Sequence, residues 1–137
     1  MTDIVVTAAQ VGRVHPDKDE VFAVQLAETV TPGQVLYQAI TGTFGLADAN
    51  GSGTIQARGI ALEGGAAGAW VPMMKRGWLY GFAVSALNGD ALLYLSVTAG
   101  ALADATGGTN VVCGLVIPAP DTTKVVYVEF DWTNVWA

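Results

Sequence analysis

The stretch Val125–Trp132, "VVYVEFDW", decides the fold class. Val126, Val128, Phe130 and Trp132 fall on one side of an extended chain, and Val125, Tyr127, Glu129 and Asp131 on the other. The period is two, so the segment predicts a strand with one face packed inward and the other partly wet. "WLYGFAV", Trp78–Val84, has the same period. It sets Trp78, Tyr80, Phe82 and Val84 on one face and the small Gly81 and Ala83 opposite. "ALLYLSV" (Ala91–Val97) and "VVCGLVI" (Val111–Ile117) are apolar on both faces, which predicts burial on both sides or a face shared with another subunit.

The 17 glycines fall between these runs and mark tight turns. Many brief strands joined by turns predict an all-β chain with little helix: one compact β-barrel or β-sandwich spanning 1–137. Asp17–Glu28, "DKDEVFAVQLAE", reads as a short helix with acidic residues in its first turn, or as a strand in which Phe22, Val24 and Leu26 alternate. The Thr31–Gly33 turn favours the strand. "VGRVHPDKDE" is the most polar part, and residues 1–20 are expected to form a flexible N-terminal arm. "GGAAG", Gly64–Gly68, reads as a flexible hairpin connection. It lacks both the Lys-[Ser/Thr] of a phosphate loop and the dinucleotide spacing.

A pseudo-repeat relates residues 33–62 to residues 89–117. Gly33 and Gly89 each precede a strand carrying Tyr37 or Tyr94. Leu46-Ala47-Asp48-Ala49 then matches Leu102-Ala103-Asp104-Ala105, Gly51 matches Gly107, and Gly59-Ile60-Ala61 matches Gly114-Leu115-Val116. Two copies are too few for a solenoid but fit a β-fold of two similar halves. Asp48 and Asp104 are expected to fix their turns by accepting from backbone N–H groups two residues on, with Gly51 and Gly107 supplying the tight backbone. Two loops with the same context favour a scaffold over a chemical site, whose partners have unlike roles.

Composition narrows the function. Only 13% of the chain is charged and 52% is hydrophobic, whereas about 25% charged is usual for a soluble domain. Such a surface suits a chain that hides area in an assembly. The net charge of −6 argues against nucleic acid, and there is no basic amphipathic segment for a membrane. No apolar run approaches the roughly 18 residues of a spanning helix. The short apolar run after Asp3 lacks a basic flank, so no signal peptide is expected, and synthesis in the cytoplasm is. Cys113 is the single cysteine, which excludes a disulfide within the chain.

The residues that could carry chemistry are few. His15 lies near Asp17, Asp19 and Glu20, a set that reads better as a solvated acidic loop than as a metal site. Cys113 sits in an apolar run and reads as a small buried hydrophobe. Ser52, Ser85 and Ser96 lie in no nucleophile elbow, and His15 is the one histidine available to any triad. Neither a catalytic residue nor a cofactor or metal site is expected. Of the four tryptophans, Trp78 and Trp132 read as core. Trp70 and Trp136 are candidate subunit or partner contacts, with sugar stacking as their rival use.

The ordered series "MTDIVVTAA", "PGQVLYQ", "TGTFGLADANG", "GIALEGGAAGAWVPMMKRG", "GDALLYLSVTAGALADATGG", "VVCGLVI" and "KVVYVEFDW" resembles the small capsid decoration (cement) proteins of tailed bacteriophages over nearly the whole chain. The resemblance implies a β-rich, non-enzymatic homotrimer on the outer capsid surface of a virion. It would clamp neighbouring capsomers of the major capsid protein, and the family has no catalytic residues to carry over. "HPDKDE" and the Trp-rich C-terminal end depart from the simpler members. The alternative is a carbohydrate-binding β-module of a phage fibre or tail, with Trp70 or Trp136 as a stacking platform.

Overall fold

The computed structural model describes residues 2–51 and 53–136, and it is all-β. Its strands are β1 (Gly12–Arg13), β2 (Glu20–Gln25), β3 (Val35–Gln38), β4 (Phe44–Leu46), β5 (Ala57–Ala61), β6 (Trp70–Tyr80), β7 (Leu92–Leu95), β8 (Leu102–Ala103), β9 (Val112–Pro118) and β10 (Lys124–Glu129). The strand pairings are antiparallel, and they build one curled ten-stranded sheet in the order β4-β3-β5-β6-β10-β9-β7-β8, with β1 and β2 on the outer edge of β6. The choice between barrel and sandwich thus resolves to a sheet that curls over itself. The Asp17–Glu28 segment is strand in its central part, as the turn at Thr31–Gly33 suggested.

The register shows how the two sequence copies are laid out. In the first, Val35 faces Ile60, Leu36 faces Gly59, and a bulge brings Tyr37 opposite Ala57. In the second, Leu92 faces Leu115, Leu93 faces Gly114, and a bulge brings Tyr94 opposite Val112. The bulge falls at the same step in both. The glycine opposite it meets another strand's backbone in both: a Cβ on Gly59 would lie 2.7 Å from Met74 O, and one on Gly114 would lie 1.9 Å from Tyr127 O.

The correspondence runs past the sequence repeat. Ile60 and Ala61 face Met74 and Met73, which face Val21 and Phe22. In parallel, Leu115 and Val116 face Tyr127 and Val126, which face Trp78 and Leu79. The long β6 therefore serves both halves. Its N-terminal part is the last strand of unit A (β2, β3, β4, β5, β6). Its C-terminal part is the first strand of unit B (β6, β7, β8, β9, β10).

Counterpart residues fill two cores. Leu36, Ala61 and Met73 pack with Val24, Leu26 and Val71 in the smaller one. Their counterparts Leu93, Val116 and Val126 pack with Leu79, Leu95, Leu102 and Cys113 in the main core, which unit A also enters through Val35, Ile60 and Met74. Alternation explains the inward sets: Val126 and Val128 point into the core from β10, and Leu79 does so from β6. Trp78 lies on the other face, so the inward set expected from "WLYGFAV" is off by one at the strand. Gly77 at φ +153° and Gly81 at φ +101° bracket that strand end, and Phe82 and Val84 turn back into the core beyond it.

The N-terminal segment differs from the arm expected over residues 1–20. Ile4 N–H donates to Leu102 O (2.8 Å), Thr7 N–H to Gly81 O (2.9 Å) and Ala83 N–H to Val5 O (2.9 Å), while Ile4 itself is buried. The hydroxyl of Ser96, itself fully buried, donates to the Asp3 carboxylate and accepts from Thr98 N–H (3.0 Å). Residues 2–14 thus cover the open side of unit B. The physical reason is that Ile4 and Val6 supply apolar cover that a polar reading of the segment discounts.

Candidate interaction surfaces

The sheet builds its outer face by the same alternation that fills the core. Leu92, Leu115, Tyr127 and Trp78 are successive cross-strand partners on β7, β9, β10 and β6. They therefore form one straight outward row, with Leu92 44% exposed at its end and exposed Val112 and Tyr80 beside it. Trp78 stands edge-on to Tyr127 (6.5 Å) and to His15 (4.7 Å between ring centroids). Its expected place in the core is thereby corrected: Leu79, the adjacent residue, takes that place. The double-sided apolarity of "ALLYLSV" and "VVCGLVI" has the same origin, one face being core and the other this row.

Trp132, also expected inside, is 41% exposed. It lies beyond the end of β10, so the strand's alternation no longer orients it. Its indole N–H donates to Arg58 O (2.7 Å), and its ring packs on Phe22 (5.0 Å) with the Lys75 ammonium 5.4 Å away. Phe22, Val24, Gln38, Phe44, Arg58 and Trp132 line a cleft of about 370 Å³ on the rim of unit A.

The two contact candidates separate. Trp70 is 67% exposed at the start of β6. Trp136 is half-buried and packs against the main core. Its N–H donates to Gln56 Oε1 (3.0 Å), its carbonyl accepts from Gln56 Nε2 (2.7 Å), and the Arg58 guanidinium lies 5.7 Å from its ring. The C-terminal turn folds back on β5, and Trp136 presents less open surface than Trp70.

The turn residues also divide. Asp48 Oδ1 accepts from Asn50 N–H (3.0 Å), the turn its position suggested, and a Cβ on Gly51 would overlap the Thr54 side chain. Asp104 instead accepts from Thr2 N–H (2.8 Å) and pins the N-terminal segment. In its loop Gly107 lies in a bend, while the neighbouring Gly108 is the one closely approached, by Ala49 O at 2.6 Å from an added Cβ. Equal motifs acquire unequal partners because only unit B receives the N-terminal segment.

The chemical candidates are dispersed. Asp19, its carboxylate almost fully enclosed, is held by the Arg13 guanidinium through two bonds of 2.6 Å, which raises the Arg13 pKa. Glu20 faces Lys75 (4.0 Å) and Arg76 (3.8 Å) instead. Among the described residues no group of three or more His, Cys, Asp or Glu side chains converges as a metal site would need. Cys113 is enclosed in the core, where burial pushes its thiol pKa up, and its polar neighbour is Val111 O at 3.9 Å. His15 stacks on the outer face and Ser96 is committed to Asp3. Ser52 lies outside the described residues. The geometry brings apolar surface together more than reactive groups.

Comparison with known proteins adds no identity: no family model, no curated protein and no solved structure matches the chain. No helix among the described residues is long and apolar enough to cross a membrane.

Proposed function

We propose that this chain is a non-catalytic structural protein of a phage virion. It binds the outer surface of the capsid as a homotrimer and stabilises the shell by clamping neighbouring capsomers. The observation that carries the reading is the outward row Leu92–Leu115–Tyr127–Trp78, continued by exposed Val112 and Tyr80, on a chain only 13% charged. Such a row lines up exposed Leu92 with three half-buried, largely apolar side chains on a regular, hydrogen-bonded sheet. Patches of this kind mark contact surfaces, and a rigid sheet loses little conformational entropy on docking. Trp70 and the fully exposed Ile40 at the β3–β4 hairpin tip supply further apolar points away from the row. A contact of roughly 800 Å² per partner fits such surfaces, and three footings on one trimer add avidity without new chemistry.

Sedimentation velocity at micromolar concentration tests the oligomer, and co-sedimentation with expanded phage capsids tests the shell. A trimer retained on capsids is the expected outcome. Leu92→Asp, which places a charge at the exposed end of the row, is expected to weaken self-association at least tenfold, since burial of one such side chain is worth about 1.5–3 kcal/mol. A chain that stays monomeric at micromolar concentration and does not bind capsids would overturn the reading. So would saturable binding on a glycan array, which would favour the carbohydrate module.

A further inference from the structure

The two units treat their first strand differently. In unit B the outer edge of that strand is covered: Gly12 and Arg13 pair with Tyr80 and Leu79, Val14 N–H donates to Trp78 O (3.0 Å), and Thr2–Thr7 runs on to Gly81 and Ala103. The matching edge of unit A is that of β2, where Phe22 and Ala23 are the counterparts of Leu79 and Tyr80. No strand among the described residues covers it. Among the described residues, backbone pairing on this side recurs at Leu26 and Ala27, which reach Phe44.

Three features show that the edge is poised for pairing. Ala23 faces Pro72, which has no N–H to donate and whose carbonyl accepts from Leu62 N–H (2.9 Å). That pair is therefore not hydrogen-bonded, and the N–H and C=O of Ala23 point away from β6 into the cleft. Phe22 occupies a core position without its cover: it is 43% exposed, whereas Leu79 is 0% exposed. Finally, the cleft is flanked by cations on a chain of net charge −6. Arg58 donates to the carbonyls of Asp131 and Asn134 (both 2.9 Å) and forms no ion pair among the described residues, and Lys75 sits over Trp132.

We propose that the β2 edge and its cleft form a strand-acceptor site, which takes an extended segment of another protein chain, apolar at alternate positions and bearing a carboxylate. The segment adds as a strand beside β2, bonds to Ala23, covers Phe22 and Phe44 with an apolar side chain and sets its carboxylate near Arg58. In unit B the corresponding place beside β6 is taken by Gly12–Val14, while Thr2–Thr7, "TDIVVT", with buried Ile4 and the acid Asp3, makes the same kind of edge addition to β8 and Gly81–Ala83. On the reading of the chain as a shell-binding protein, on which only the identity of the donor rests, that segment belongs to a shell subunit.

The test uses the full 15N-labelled chain and an end-blocked peptide Thr-Asp-Ile-Val-Val-Thr. Saturable shifts at the Ala23 amide and the Trp132 indole are expected, with exchange of the Ala23 amide slowed at least tenfold at saturation. Ala23→Pro removes the donor without touching a bond to β6 and is expected to weaken binding at least tenfold. Phe22→Ser probes the same contact should the proline variant unfold. Absence of saturable shifts up to millimolar peptide overturns the proposal. So do shifts confined to Phe82 and Ala103, which would mean displacement of the chain's own segment, and so does unchanged binding by the Ala23→Pro and Phe22→Ser variants. The assay needs neither oligomer nor capsid, so a chain that binds the peptide but ignores capsids sinks the shell reading alone.

Discussion

Gly114→Ala is expected to be among the most damaging single-methyl additions to this protein. A Cβ at Gly114 would sit 1.9 Å from the carbonyl oxygen of Tyr127 on the neighbouring strand. Carbon and oxygen on adjacent strands normally approach to about 3.3 Å, so β10 would have to retreat by about 1.4 Å. The obstacle is backbone, and no rotamer change relieves it. That retreat breaks the ladder around the Val128–Gly114 pair and disturbs Val126 and Val128, both fully buried. Two ladder bonds at about 1 kcal/mol each, with an overpacking cost of about 1–3 kcal/mol, give roughly 3–5 kcal/mol. For 137 residues each kcal/mol corresponds to about 3–4 °C, so the Tm is expected to fall by roughly 9–20 °C. Urea melts with an unchanged slope and a lower midpoint would report the same loss. The counterpart Gly59→Ala meets Met73, a flexible side chain, as well as Met74 O at 2.7 Å, and is expected to cost less, about 1–3 kcal/mol. A Gly114→Ala loss below about 1 kcal/mol, or a Gly59→Ala loss larger than it, would refute the reasoning.

Other outcomes follow from single contacts. Asp104→Ala removes the acceptor of Thr2 N–H and is expected to cost about 1 kcal/mol and to speed amide exchange at Ile4, while Asp48→Ala leaves exchange at Ile4 unchanged. The Asp131 pKa is held below its ordinary value by bonds from the backbone and hydroxyl of Thr133. A carboxylate depressed in the folded state stabilises above its unfolded pKa, and this contribution is lost as pH falls through the folded value. Thr133→Ala should therefore raise the Asp131 midpoint in an NMR titration and flatten the acid limb of a stability profile; an unmoved midpoint would refute the cause. Cys113, buried with a raised thiol pKa, should resist iodoacetamide in the native protein at pH 8 and react fully in urea, and native reaction at the rate of a free thiol would contradict its burial.

The legibility of the fold varies by element. The strands β10, β9 and β7 stand out in the sequence because their side chains alternate and glycines or polar turns bound them. The C-terminal end of β6 was half legible. "WLYGFAV" carries the right period, but the bend after Tyr80, with Gly81 at positive φ, let Trp78 fall outward while Phe82 and Val84 turn inward. The repeat was visible through Gly59 and Gly114, glycines that the close backbone of Met74 and Tyr127 requires. What the repeat concealed was the double use of β6, since Val21–Phe22 and Trp78–Leu79 share a position but no residue types.

The candidate surfaces were less legible. Trp70 is exposed, while Trp136 folds back on Gln56 through contacts 80 residues apart. The outward row joins Leu92, Leu115, Tyr127 and Trp78 from four separate strands, and pairing alone aligns them. A signal for it existed in the double-sided apolarity of "ALLYLSV" and "VVCGLVI". The open β2 edge had a fainter one, Pro72 in an otherwise regular strand, but its meaning depends on knowing that Ala23 lies opposite.

The sequence by itself determined the all-β class, the places of the main strands and the existence of two like halves. Each is written in features that act within a few residues: side-chain alternation, glycine backbone freedom and turn chemistry. The tertiary structure alone decided that β6 belongs to both halves, that Asp104 holds Thr2, and that the N-terminal segment seals one unit while the other keeps an open edge. Those choices are made by contacts between residues far apart in the chain. Two nearly equal motifs diverge there because only one N-terminus is available to cover two similar edges.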